Sequence, residues 1–354
     1  MTTPTDEPHQ NGKLHAGEPD IDVPLVRKLL AAQFPQWADL PVEQFPSAGT
    51  VNAVFRLGDA MAVRLPRIAG GAEDVAKESR WLPWLAPRLP ATIPAVLGRG
   101  EPGEGYPWAW SVHSWLDGEN PAAGALTAPD ALAADLAAFV TAMRGADPTD
   151  GPPAYRGAPV STQDTETRAA IEELRRLGRS GQVGQPSHAG HAGHAGHAQA
   201  NPANTSPAPS LAPSPTPTPT VDTRIDLDAA TAVWEATLRT PDWDAPPVWV
   251  HSDLMPGNLL VRDGRLDAVI DFGTAGLGDP ACDLIVAWNL LPADARETFR
   301  TATGADDAMW ARGRGRALSM ALIQLPYYAV TNPVLAANAR HVIHEVLADH
   351  ARGA

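Results

Sequence analysis

Apolar residues follow two regimes along this chain, and the change falls near Thr127. Before it, apolar runs are short. Val26, Leu29, Leu30 and Phe34 sit at helical spacing and predict a short amphipathic helix. In "TVNAVFRLGDAMAVRLPRIAGG" two apolar runs flank Gly58-Asp59, the pattern of a β-hairpin. "EDVAKESRWLPWLAPRL" predicts a helix interrupted near Pro83, and "YPWAWSVHSWLDGENP" a strand that ends in a loop at Asp117-Gly118. The first third therefore reads as a small sheet with one or two helices.

After Thr127 the spacing becomes helical. Thr127 is placed to cap a helix whose first turn holds Pro129 and Asp130, with Leu132, Leu136, Phe139, Val140 and Met143 as its apolar stripe. "DTETRAAIEELRRLG" predicts another helix, ending at Gly178. The segment "VWVHSDLMPGNLLVRDGRLDAVIDFG", Val248 to Gly273, breaks this pattern with two strand-like runs about Asp263-Gly264. Helices resume in "DPACDLIVAWNLL", starting at Asp279-Pro280, then from Asp306 to Val330, then in "NPVLAANARHVIHEVLADH".

Residues 1–20 are polar and read as a disordered tail, without the basic and apolar parts of a signal peptide. Residues 181–221 contain no Asp, Glu, Lys or Arg and run through "HAGHAGHAGHA" into "PSLAPSPTPTPT". Such a segment lacks the apolar surface to offset its ordering entropy, so it reads as a disordered insertion. His188, His191, His194 and His197 recur at every third residue and raise a metal-binding alternative. In a polyproline-II chain they stand about 9 Å apart at ~3.1 Å per residue, which favours a metal-indifferent linker. The remaining chain divides into an N-terminal lobe, 21–116, and a C-terminal lobe, 117–350.

Composition narrows the class. With 354 residues and 44% hydrophobic content, the chain is long enough for two lobes with real cores. Its 27 basic and 41 acidic residues give a net charge of −14, which argues against a nucleic-acid partner. Cys282 is the sole cysteine, so no internal disulfide forms and a reducing compartment is expected. The longest apolar stretch, "ALSMALIQLPYYAV", is too short to span a bilayer, so a soluble, cytoplasmic protein without membrane partners is expected.

The chemistry concentrates at the hairpin. If "RDGR" closes it, Arg262 pairs with Arg265 and Asn258 stands opposite Val269. Asp271, two residues on, then shares a sheet face with Asn258 as a diagonal pair at roughly 7–8 Å. One carboxylate and one carboxamide oxygen suit Mg2+, with the other positions left to water and phosphate. Asp253 enters the hairpin through a loop bent by Pro256 and Gly257, near this pair without being forced into it. That is where a base must sit to accept a proton from an attacking hydroxyl. Three oxygen side chains at one open hairpin end point to phosphoryl transfer.

The string His251-x-Asp253, four residues, Asn258, then Ile270-Asp271-Phe272-Gly273 resembles that of the aminoglycoside phosphotransferase family, small-molecule relatives of the protein kinases. The resemblance covers about residues 40–345 apart from the insertion. It implies an α+β, two-lobed protein-kinase-like fold, with a small antiparallel-sheet N-lobe and a mainly helical C-lobe. It also implies Asp253 as catalytic base, Asn258 and Asp271 as magnesium ligands, and His251 and Asp283 as supports of the catalytic loop. Ser252 replaces the usual Gly, and Met255 stands where a second His is common. In the N-lobe, "SAGTVNAVFRL" would cover the phosphates, with Gly49 allowing close approach. Arg64 occupies the position of the family's phosphate-binding Lys, and Glu78 that of the helix Glu that orients it. Backbone near Ser114 and Trp115 would bind the base of ATP or GTP.

Only "TAGLG" separates Gly273 from Asp279, which leaves no room for the activation segment on which protein kinases dock polypeptides. The acceptor is therefore expected to be a small hydroxylated molecule, an aminoglycoside by family name, with a macrolide or a metabolic amino alcohol as alternatives. Acidic candidates for its pocket are Asp283, Asp294, Glu297, Asp306 and Asp307, of which Asp283 suits a bracing role better. Trp108, Trp110, Trp115, Trp288 and Trp310 line a pocket or fill the core. A contrasting reading, motivated by Arg64, is a non-catalytic nucleotide sensor on the same fold.

Overall fold

Asp22 caps the first helix by accepting a hydrogen bond from Leu25 N at 2.8 Å, and α1 (Val23–Gln33) buries Val26, Leu29 and Leu30, the spacing read from the sequence. The structure, a computed structural model, describes residues 18–45, 51–180, 225–329 and 332–353. Gly49, residues 1–17 and His188, His191, His194 and His197 lie outside the described residues. The last part of the expected tail is ordered: Glu18 is buried and its carboxylate accepts a hydrogen bond from Arg67.

Helix α1 packs beside a five-stranded antiparallel sheet of β1 (Val42–Phe45), β2 (Asn52–Leu57), β3 (Met61–Pro66), β4 (Val96–Gly100) and β5 (Trp110–Ser114), in the order β1-β2-β3-β5-β4. The Gly58-Asp59 hairpin forms as expected, with Leu57 opposite Met61 and Gly58 at φ +54°. Strand β4 has no strand-like composition, because its glycines serve packing. A Cβ on Gly100 would come within 2.0 Å of the Trp110 indole.

The expected break at Pro83 does not occur: α2 (Ala69–Leu85) starts earlier and runs through it. Pro83 lies in the helix's last turn, where it removes one ladder hydrogen bond, while buried Leu82 and Leu85 anchor that turn in the larger core. Phe55, Leu30 and Trp110 fill the smaller core, under the sheet.

The larger core is helical. Helix α3 (Pro129–Arg144) buries its whole predicted stripe, but Ala128, not Thr127, is its N-cap, since Pro129 fixes the first helical position. Helix α4 (Asp164–Ser180) continues past Gly178. Helix α5 (Leu227–Leu238), capped by Asp226, was not foreseen by the pattern, whose small residues make a weak stripe. Strands β6 (Val248–Val250), β7 (Leu259–Arg262), β8 (Arg265–Val269) and β9 (Gly276–Gly278) form two small ribbons, β6 with β9 and β7 with β8.

Asp279 caps the next segment through Ala281 N, but Pro280–Ile285 is 3-10 before α6 (Val286–Asn289) begins. Then come α7 (Ala293–Thr303), α8 (Asp307–Tyr328) and α9 (Pro333–Arg352). Trp234, Trp249, Trp288, Phe139 and Phe299 are fully buried among these helices. Of the five tryptophans noted in the sequence, Trp110, Trp288 and Trp310 are core, Trp108 packs at the edge of the smaller core, and Trp115 faces the cleft between sheet and helices.

Candidate active site

The pairing of β6 with β9 sets the site. It brings the loop after β6 and the Asp-Phe-Gly turn before β9 side by side, at the mouth of the β7–β8 hairpin. Asp283, fully buried, clamps the loop by accepting hydrogen bonds from His251 N at 2.9 Å and Ser252 N at 2.7 Å. Burial pushes the Asp283 carboxyl up to about 6, against the two amides and Arg144. It is therefore a loop brace and not part of a pocket wall. His251 Nδ1 accepts from Asp253 N at 3.3 Å, so its Nε2 carries the proton and donates to Ile270 O at 3.1 Å. Asn120 donates to Gly257 O and Leu259 O, at 3.1 and 2.8 Å, and fixes the loop's far end.

Ser252 has φ +62°, which explains why glycine suits this position. Its hydroxyl donates to Thr274 O at 2.9 Å, a second tie to the Asp-Phe-Gly turn.

Within this frame Asp253 and Asn258 meet. Asn258 Nδ2 donates to Asp253 Oδ2 at 3.0 Å and to its carbonyl at 2.9 Å. Both side chains are fully buried, and Asn258 Oδ1 has no hydrogen-bond partner among the described residues. Arg156 Nη1 donates to Asp253 Oδ1 at 3.1 Å.

The hairpin differs from the expected register by one residue. Arg262 pairs with Arg265 as predicted, but a bulge at Asp267 puts Leu259, not Asn258, opposite Val269. Asn258 faces Ile270, whose amide donates to Asn258 O at 2.9 Å. Thr92 holds the bulge: its amide donates to Asp267 O at 3.0 Å and its carbonyl accepts from Val269 N at 2.9 Å. Simple alternation would now turn Asp271 away from Asn258. Instead Asp271 adopts a left-handed conformation, φ +65° and ψ +70°, which returns its carboxylate to the same end of the hairpin.

Above Asp271 sits the smaller lobe's charge pair. Arg64 on β3 and Glu78 on α2 are both buried, and Arg64 Nη1 reaches the Glu78 carboxylate oxygens at 2.9 and 3.1 Å. The other Arg64 nitrogen, Nη2, donates to Asp271 Oδ1 at 2.9 Å. Burial works against the guanidinium charge, but Glu78 and Asp271 outweigh it and raise the Arg64 pKa. Burial pushes Asp271 up to about 7; Arg64 opposes this, while Glu78 and Asp253 add to it.

These groups close a cleft between the lobes. Val54, Ala62 and Arg64 form its roof, Leu260, Ile270 and Asp271 its floor, and residues 113–116 its back. Trp115 lies there under the Arg56 guanidinium, 4.0 Å from the ring centroid, and edge-on to Phe45. The amides of Ser114 and Trp115 are already given to Ala95 O and Ala60 O, both at 2.8 Å. A base there must use carbonyls or the amide of Leu116, which lines the same cleft.

Three groups escape a motif reading. His113 lines the cleft, is buried, and neither ring nitrogen has a hydrogen-bond partner among the described residues; its only trace in sequence is a polar residue inside an apolar strand. Asn120 and Arg156 leave no trace. The acidic pocket candidates do not gather: Asp294, Glu297, Asp306 and Asp307 are exposed on α7 and at the start of α8, where Asp306 caps α8 and Asp307 pairs with Arg300. The ion pair at Asp253 is with a cation, Arg156.

Among the described residues no group of three His, Cys, Asp or Glu is placed to hold a metal by itself. One carboxylate, Asp271, and the unpartnered buried oxygen of Asn258 still fit a magnesium ion that shares its shell with phosphate and water. No helix among the described residues is long and apolar enough to cross a membrane.

Comparison with known proteins agrees with this architecture. The family model for the Phosphotransferase enzyme family matches residues 42–318. An aminoglycoside 3'-phosphotransferase of Escherichia coli is 42% identical over 62 residues, 18% of this chain. That match spans only 23% of the relative's length. The GDP and kanamycin complex of APH(2")-IIia superposes with a TM-score of 0.58 at 17% identity, over 92% of this chain and 98% of that one. The macrolide 2'-phosphotransferase MphH from Brachybacterium faecium gives 0.50 at 20%, over 91% and 97%. The expected two-lobed, kinase-like fold is thereby established.

Proposed function

This chain belongs to the phosphotransferase enzyme family, and we propose on that premise that it transfers the γ-phosphoryl group of a nucleoside triphosphate to a hydroxyl of a small acceptor. The observation that carries this reading is the 3.0 Å contact between Asn258 Nδ2 and Asp253 Oδ2, beside Asp271 at the floor of the interlobe cleft.

Each residue then has a definite task. Asp253 accepts the acceptor's hydroxyl proton as the oxygen attacks phosphorus, and the nucleoside diphosphate leaves. Asn258 fixes the Asp253 carboxylate through Nδ2 and turns Oδ1 toward the phosphates. Asn258 and Asp271 would hold magnesium, which when bound neutralises charge on the β- and γ-phosphates. Arg64, oriented by Glu78, moves from Asp271 to the phosphates when nucleotide enters; a guanidinium binds phosphate well, though with a different geometry from a lysine. The base stacks between Val54 and Ala62 above and Leu260 below, against Trp115.

The acceptor's size follows from the short path after Asp271. The chain enters β9 at Gly276, and residues 152–154 cover that strand's other edge, with Leu277 N donating to Pro152 O at 2.7 Å. No long segment intervenes on which a polypeptide would dock. The relatives named above include an aminoglycoside 3'-phosphotransferase, a kanamycin complex and a macrolide 2'-phosphotransferase. An aminoglycoside is the leading class, with a macrolide or amino alcohol next.

A second reading rests on Arg64. Its contact with Asp271 occupies a proposed magnesium ligand, as expected of a nucleotide sensor without turnover. Nucleotide consumption with magnesium, measured against aminoglycosides, macrolides and amino alcohols, separates the two. Acceptor-dependent turnover supports transfer. Magnesium-dependent nucleotide binding without turnover on any acceptor rejects it in favour of the sensor.

A further inference from the structure

The loop that carries Asp253, residues 251–258, contains no Lys or Arg, and its Met255 is apolar and buried. Its one His is committed to Ile270 O and Asp253 N. The cation at Asp253 instead arrives from 97 residues upstream, on a strap formed by residues 151–158. Arg156 Nη1 donates both to Asp253 Oδ1, at 3.1 Å, and to Ser252 O, at 3.2 Å. One nitrogen thus ties the carboxylate to the backbone that carries it, and the Arg156 side chain is only 9% exposed.

The strap does not need this side chain to stay in place. Ala154 N donates to Leu277 O at 2.9 Å and Tyr155 N to Thr274 O at 3.1 Å. Arg316 donates to the carbonyls of Arg156 and Ala158, at 2.7 and 2.6 Å. Gly157 and Gly278 touch backbone to backbone, since a Cβ on Gly278 would lie 2.4 Å from Gly157 Cα. The strap's backbone is thus held by contacts that do not involve the Arg156 guanidinium.

Asp253 is fully buried near Asp271 and Asp283, so its charge stands among other carboxylates. A carboxylate without a nearby cation there would be costly, and Arg156 adds a hold on Oδ1 to that of Asn258 on Oδ2. We propose that Arg156 is the positioning residue of the base: it neutralises Asp253 and locks its carboxylate in the orientation that faces the acceptor hydroxyl. This inference rests on the phosphotransfer reading above, with Asp253 as the base.

The test is a double-mutant cycle on the full chain, using Arg156→Gln, Asp253→Asn and the pair, with kcat, nucleotide KM and thermal stability as readouts. Arg156→Gln is expected to lower kcat by about 100-fold, the scale of a misplaced reacting group. Nucleotide KM should stay within about threefold, because Arg156 does not line the nucleotide cleft. Arg156→Lys should recover about a tenth of wild-type kcat by restoring the charge without the fork. In the Asp253→Asn background Arg156→Gln should be nearly silent, since there is no carboxylate left to hold. If Arg156→Gln does not fold, the cycle runs with Arg156→Lys and the same non-additivity is required. Wild-type kcat in Arg156→Gln, or an additive loss in the pair, overturns the inference and leaves phosphotransfer standing, whereas wild-type kcat in Asp253→Asn overturns the reading of Asp253 as the base on which the inference rests. A wild-type chain without transfer to any acceptor overturns both.

Discussion

Arg64 Nη2 and Asp271 Oδ1 lie 2.9 Å apart, and the same guanidinium holds Glu78 through its other terminal nitrogen. One buried cation therefore balances two buried carboxylates from different lobes. Arg64→Ala takes this cation from both, which costs about 3–5 kcal/mol of stability for a broken buried pair. Arg64→Lys restores one charge contact and should lose less. Both should weaken nucleotide binding, Ala more than Lys. Denaturant unfolding and nucleotide titration check the order; unaltered affinity in Arg64→Ala removes Arg64 from the phosphate site.

His113 makes stability pH-dependent in a predictable direction. Burial, aided by Arg64 and opposed by Glu78, lowers its pKa from 6.5 to about 4. Between these values the unfolded chain takes up the proton and the folded chain does not. Stability from this group is therefore full above pH 6.5 and lost as pH falls toward 4. His113→Met removes the titrating group and two buried nitrogens without hydrogen bonds among the described residues. The wild type should lose about 2–3 kcal/mol more than His113→Met between pH 7 and pH 4.5. Parallel urea unfolding curves over that range would contradict the assignment.

Removing residues 181–221 should leave phosphotransfer within about twofold, the spread of variants that touch no reacting group. The helices on either side are joined without it: Arg175 on α4 donates to Asp228 on α5 at 2.6 Å, and both helices pack on α8. Steady-state turnover of the shortened chain is the check. Loss of transfer would give the His-rich tract a role in the reaction.

What the sequence disclosed and what it hid divide by the range of the interactions. Asp253, Asn258 and Asp271 were legible because one Asp-Gly turn and one short loop bring them together within about 20 residues. Even there the register slipped by one, since the bulge at Asp267 depends on Thr92, far away in sequence. Asp271 returned to the site through a left-handed turn that alternation does not foresee. Arg64 with Glu78 was legible only through resemblance. Arg156 and Asn120 were not, because each reaches the loop from a connection with no periodicity to mark it. Strand β4 was hidden by glycines chosen for contact with aromatic rings.

The central claim is that Asp253 accepts the proton in phosphoryl transfer while Asn258 and Asp271 hold the magnesium nucleotide. Asp253→Asn keeps the side chain's shape and removes its basicity. Measured on one preparation, magnesium-nucleotide affinity should stay within a few-fold of wild type while kcat falls by about 10²–10⁴-fold. Unchanged kcat alongside intact nucleotide binding would contradict the account.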